Sequence, residues 1–175
     1  FAQATTVFPG EILNILVSGQ SKGLIKIELN SEIAPNHVTR IKYLAEKGLY
    51  DNVAFHRVID GFMAQTGDVK YGNKNKYYPG LVGLGGSLLP DLEAEFSKEK
   101  FLAGTLGMAR GSNPNSANSQ FFIMFKEAPH LNNQYTIVGK VVEGMDVLLS
   151  IKKGDIKKKG SVEKPDYMKK VFLDN

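Results

Sequence analysis

The sequence predicts a mainly β fold, an antiparallel barrel or sandwich, on three observations. Short runs rich in β-branched and aromatic residues recur along the chain, at residues 11–17, 24–29, 54–59, 62–66, 104–109, 120–125, 136–142 and 171–173. Asp60-Gly61 sits between two apolar runs, a strong hairpin signal. Only two stretches, 33–50 and 143–152, carry helical spacing.

The elements follow in order. Residues 1–10 read as a tail, and 11–175 as one domain. The run 24–29 alternates Ile25, Ile27 and Leu29 with Lys26 and Glu28, a half-buried strand that pairs with 11–17 across Ser18-Gly19-Gln20. In 33–50, Pro35 suits a first helical turn, and Val38, Ile41, Leu44 and Ala45 form one face. Arg40 falls off that face and His37 reads as a surface histidine. The central hairpin sets Arg57 on the face of Phe55 and Ile59, opposite His56 and Val58, and brings it toward Phe62, Met63 and Gln65. Residues 69–90 form a long connection rich in Gly, Lys, Asn and Tyr. In 120–125, Phe122 and Met124 fall on one face and Phe121, Ile123 and Phe125 on the other.

At 175 residues, 42% hydrophobic and 23% charged, the chain suits one globular domain with a sizeable core. Net charge is +4, with the lysines crowded late, at Lys152-Lys153 and Lys157 to Lys159. That run reads as a solvated surface, and nucleic-acid binding is the distant alternative. No apolar run is long enough to span a bilayer. Ala2-Gln3-Ala4 matches the small-residue pattern at the end of a secretory leader, so the expected location is periplasmic or otherwise exported, with cytoplasm the alternative.

The chemistry is narrow. The absence of cysteine removes thiol catalysis and disulfides, and His37, His56 and His130 show no metal-ligand spacing. The glycines of 83–87 lack the lysine and hydroxyl partner of a phosphate loop. Glu93 and Glu95 are tied to no pocket by the sequence. No cofactor is expected. There remains one arginine among amides and apolar side chains.

Four motifs in order, FHRVIDGFMAQTGD, GTLGMARG, NSQFFIMF and VGKVVEGMDV, resemble the cyclophilin family of peptidyl-prolyl cis-trans isomerases, and its exported bacterial members in particular. The resemblance implies a closed eight-stranded antiparallel β-barrel with two capping α-helices. It implies Arg57 as the catalytic group and Phe62, Met63, Gln65, Gly83, Ala109, Arg110, Gln120, Phe122, His130, Leu131 and Tyr135 as substrate-binding residues. Three of these depart from the family pattern. Arg110 stands where asparagine is common, His130 where cyclosporin-sensitive members carry tryptophan, and Tyr135 where histidine is common. The implied function is isomerisation of X-Pro bonds in assistance of folding, on proline-containing peptides and unfolded proteins, by a monomer that binds cyclosporin weakly. A proline-binding holdase without turnover is the alternative; Arg57 favours the enzyme, because capturing a proline ring needs no centred cation.

Overall fold

The computed structural model describes residues 11–175; the tail and leader expectations for 1–10 lie outside the described residues. The strands are β1 (Ile12–Ser18), β2 (Gly23–Leu29), β3 (Val53–Ala54), β4 (Arg57–Ile59), β5 (Met63–Thr66), β6 (Thr105–Met108), β7 (Phe121–Met124), β8 (Ile137–Glu143) and β9 (Tyr167–Leu173). Two α-helices accompany them, α1 (Pro35–Glu46) and α2 (Met145–Leu149). The order across the sheet is β3-β9-β1-β2-β8-β6-β7-β5-β4, with every pair antiparallel.

The two ends of this sheet, β3 and β4, are separated in the chain by only Phe55 and His56. The sheet therefore curls until its ends meet in one stretch of chain. This is the mainly β antiparallel fold expected, with nine strands in place of eight because the run 54–59 is interrupted. The interruption coincides with a change of backbone partners. Phe55 and His56 are both buried, and their backbone groups bond to Asp166 and Val162 rather than continuing the ladder. The chain is held through the break by Phe55 N–H donating to Asp166 O (2.8 Å) and Val162 N–H to His56 O (3.2 Å).

Alternation sorts the apolar residues into two clusters. Leu13, Ile15, Ile25 and Ile27 of β1 and β2 join Phe121, Ile123 and Phe125, the face of α1 and Leu148 of α2 in the main core. Phe122 and Met124 point the other way, into a smaller cluster with Met63, Phe101, Leu131 and Ile137. The face assignment read from 120–125 is the one observed.

Several local expectations need correction. His37 is fully buried, because the segment carrying Glu95 covers the first turn of α1. Ala34 offers no capping side chain there, and the Glu95 carboxylate instead accepts from Asn36 N (3.3 Å) and His37 N (2.9 Å), stabilising the positive end of the helix. Its Oε1 also lies 2.5 Å from His37 Nδ1. Arg40 is buried too, donating to Pro90 O (2.6 Å) and Asn118 O (3.2 Å). Helix α2 is shorter than 143–152, and Phe62 lies in the hairpin turn rather than in β5. The last strand begins earlier than 171 and pairs with both β1 and β3.

Candidate active site

The central hairpin builds the site. Residues 60–62 connect β4 to β5, with Gly61 in the left-handed region (φ 72°) and Phe62 N–H donating to Ile59 O (3.0 Å). A side chain at Gly61 would be strained in that conformation. The register sets Arg57 opposite Gln65 and Gln65 opposite Phe122, so a cation, an amide and an aromatic ring stand in a row across three strands.

A chain of oriented hydrogen bonds runs from the arginine. Arg57 Nε donates to Lys159 O (3.0 Å) and Nη1 to Gln65 Oε1 (3.2 Å). Gln65 Nε2 donates to Gln120 Oε1 (3.0 Å), and Gln120 Nε2 to the carbonyls of Gly83 and Gly85 (both 2.9 Å). Those glycines are fixed in turn. Their N–H groups donate to Asp68 Oδ2 at 2.8 and 3.0 Å, while Lys70 N and Tyr71 N donate to Oδ1. The fully buried Asp68 carboxylate thus accepts four backbone N–H groups and ties the long connection 69–90 to the site. Arg57 is oriented through two nitrogens, and its Nη2 has no acceptor among the described residues.

The apolar half is a ring cluster. Phe122 stacks on Phe101 at 5.8 Å and meets Tyr135 edge-on at 5.6 Å, so its ring is fixed from two sides. Phe62 comes from the hairpin turn and Leu131 from a 3-10 turn at Pro129–Leu131. Arg110 lies over Tyr135, its Cζ 4.4 Å from the ring centre, and donates to Gly111 O (2.9 Å) and Gln134 O (2.6 Å).

Between these halves lies a cavity of about 440 Å³. Arg57, Phe62, Met63, Gln65, Gly83, Ala109, Arg110, Phe122, Leu131 and Tyr135, all expected site residues, line it. Gln120 lines an adjoining cavity, where it supports Gln65. His130 does not line the central cavity. It is exposed and stacks on Phe62 with ring centres 5.7 Å apart.

Six lining residues went unread in the sequence: His56, Pro79, Val82, Lys158, Lys159 and Ser161. The lysines arrive because residues 154–161 pack on β4, with Val58 N–H donating to Gly160 O and Gly154 N–H to Val58 O. Gly160 permits the approach. Its φ is +86°, and a Cβ there would stand 2.6 Å from Ile59 Cγ1. A glycine ending a lysine run was the available signal. Burial lowers the His56 pKa to about 4, against a smaller opposing effect of the Asp68 charge, so at neutral pH it presents an uncharged ring to the cavity. Among the described residues, no group of three or more His, Cys, Asp or Glu side chains could hold a metal ion. No described helix is long and apolar enough to cross a membrane.

A curled antiparallel sheet with an oriented arginine beside an aromatic pocket defines a protein that works by shape and hydrogen bonding on a bound ligand. The family described as "Cyclophilin type peptidyl-prolyl cis-trans isomerase/CLD" matches residues 13–172. A probable peptidyl-prolyl cis-trans isomerase of Brucella suis is 56% identical over 162 residues, covering 92% of this chain and 83% of the relative. Peptidyl-prolyl cis-trans isomerase B of Bacillus subtilis is 36% identical, covering 79% and 90%. Among solved structures, a Cryptosporidium parvum cyclophilin crystallised in the presence of the dipeptide Ala-Pro superposes with a TM-score of 0.78 at 27% identity, covering 94% of this chain and 99% of that one. A cyclophilin from Hirschia baltica gives the same TM-score at 28% identity, covering 95% and 75%. The chain belongs to the cyclophilin-type peptidyl-prolyl cis-trans isomerases, enzymes that interconvert the cis and trans forms of X-Pro bonds.

Proposed function

We propose that Arg57 accelerates this reaction by donating a hydrogen bond to the prolyl nitrogen of the twisted amide, while Phe62, Met63, Phe122 and Leu131 hold the proline ring. Peptide-bond rotation faces a barrier of ~18–20 kcal/mol because the nitrogen lone pair is delocalised into the carbonyl. When the bond twists, the lone pair returns to nitrogen, which becomes an acceptor. A donor placed there binds the twisted state better than either planar isomer, and only such a difference raises the rate. A hydrogen bond from a charged donor is worth roughly 1.5–3 kcal/mol, or about 10- to 100-fold in rate.

The observation that carries this reading is the state of Arg57. Two of its nitrogens are held by Lys159 O and Gln65 Oε1, and Nη2 is left for a ligand beside the aromatic pocket. The amide chain through Gln65 and Gln120 keeps the guanidinium oriented, so little reorganisation is needed at the moment of twisting. Isomerisation of a short X-Pro peptide, followed by NMR exchange, tests it. Arg57→Ala should lower kcat/KM by at least about tenfold, and near-wild-type activity would refute the role.

The clients in this reading are proline-containing peptides and unfolded proteins, and the working form is a monomer. Export to the periplasm rests on Ala2-Gln3-Ala4 alone, and sequencing the mature N-terminus from fractionated cells checks it. Cyclosporin should bind weakly. His130 offers a small polar ring stacked on Phe62 where sensitive members present an indole. Losing the indole N–H bond and part of its apolar contact costs about 2–4 kcal/mol. His130→Trp should tighten cyclosporin binding with a smaller effect on turnover. Stoichiometric inhibition of the wild type would contradict this.

A further inference from the structure

Three adjoining cavities make up the site and its flanks. The central one shares Gln65, Gly83, Ala109 and Arg110 with the cavity on one flank, and Pro79, Lys158 and Ser161 with the cavity on the other. The flanking cavities have no residue in common. Their charge differs. On the first flank the one cation is Arg110, already donating to two backbone carbonyls and lying over Tyr135. The second is walled by Lys152, Lys153, Lys158 and Lys164 against Asp155 and Glu163.

Three of those six side chains have close partners. Lys152 Nζ donates to the carbonyls of Glu163 and Lys164, and Lys153 Nζ to those of Leu149 and Ile151 while lying over the Phe125 ring. Asp155 accepts from Lys157 N (2.9 Å). Lys158 meets only the Glu163 carboxylate, at 3.9 Å, with the two side chains 64% and 91% exposed. Such a contact is worth little and yields readily to a better-placed anion. Lys159 stands next to it in the left-handed region (φ 58°), lines the central cavity, and carries the carbonyl that orients Arg57. Lys158 and Lys159 therefore both line the central cavity, and Lys159 itself carries the clamp on the catalytic arginine.

We propose that this enzyme prefers X-Pro segments bearing an acidic residue on the one side of the proline that passes over Lys158 and Lys159. The inference rests on the isomerase reading and names its substrate class. A client carboxylate at that mouth displaces Glu163 from Lys158 and gains Lys159. The opposite flank offers neutral amides, glycine carbonyls and the single guanidinium of Arg110, which is already held by two carbonyls and the Tyr135 ring, so an acidic residue there gains less.

Three peptides of equal length with one central Ala-Pro bond test it: one neutral, one with glutamates only before Ala-Pro, one with glutamates only after it. NMR exchange gives kcat/KM for each. One acidic peptide, and not both, should be turned over about two- to tenfold more efficiently than the neutral one at low salt, with the advantage lost near 0.5 M salt. The ratio of that peptide to the neutral one should fall to about one in Lys158→Gln/Lys159→Asn, where asparagine tolerates the left-handed backbone. It should rise in Glu163→Gln. Equal advantages for both acidic peptides, no advantage, or one that survives in the double variant would overturn the proposal. Failure to isomerise even the neutral peptide would instead sink the isomerase reading.

Discussion

The two faces of β7 put neighbouring phenylalanines to different uses. Phe121 is fully buried in the main core, edge-on to Tyr50 at 5.5 Å, whose hydroxyl donates to Ser119 O (2.7 Å). Phe122, one residue on, is backed by Phe101 and Tyr135 but keeps one surface toward the cavity. The first ring is surrounded, and its energy goes into the fold. The second is fixed from behind and left open in front, beside a cation whose two engaged nitrogens leave a third free. In the proposed mechanism a single alternating strand thus separates stability from recognition, and the separation can be broken from either side.

The largest expected effect is on the closed face. Phe121→Ala should destabilise the protein by roughly 3–5 kcal/mol, read from urea unfolding. Phe122→Ala should cost less stability, because its ring is already open on one side, but should lower kcat/KM by about 10- to 100-fold through lost contact with the proline ring. Equal losses of stability with unchanged peptide affinity in Phe122→Ala would erase the distinction between the faces.

Protonation of a buried histidine probes the cavity wall next. The folded-state pKa of His56 is lowered to about 4, mainly by burial, so the unfolded chain, with an ordinary value of about 6.5, takes up the proton first. Stability should be level above about pH 6.5 and fall as pH drops from there toward 4, by up to about 3 kcal/mol from this group. Burial lowers the pKa of His37 as well, so its contribution has the same sign. Unfolding at pH 7.5 and 4.5 should differ less in His56→Gln than in wild type; an identical difference would remove His56 from the cause.

The smallest effect concerns the support behind the arginine. Gln65→Ala removes the acceptor of Nη1 and leaves Lys159 O in place. A fall of about two- to tenfold in kcat/KM with little change in unfolding free energy is expected. A loss as large as that of Arg57→Ala would mean that Gln65 itself contacts the reacting amide.

The legible parts were those governed by local pattern. Alternation in 120–125 sorted Phe122 from Phe121, and Asp60-Gly61 brought Arg57 toward Phe62, Met63 and Gln65, although the register, Arg57 opposite Gln65, follows from a connection one residue longer than that dipeptide. The four motifs, through their resemblance to a known family, supplied most of the cavity wall. What escaped depends on contacts between segments far apart in the chain. His37 is buried by Glu95, 58 residues away, and Arg57 is clamped by Lys159, 102 residues away. No periodicity carries such information. The same is true of the break at Phe55 and His56, whose backbone groups bond to residues more than 100 positions away, and of Lys158 and Lys159, whose charge suggested solvent while packing on β4 brought them to the cleft.

The most direct measurement separates binding from rotation in Arg57→Ala. NMR exchange on one peptide that populates both isomers yields the dissociation constant and the interconversion rate of the bound peptide independently. A hydrogen bond formed only in the twisted state predicts a Kd within about threefold of wild type and interconversion at least about tenfold slower. Bound-state interconversion at the wild-type rate, with the whole loss appearing in Kd, would contradict it and leave Arg57 a binding residue alone.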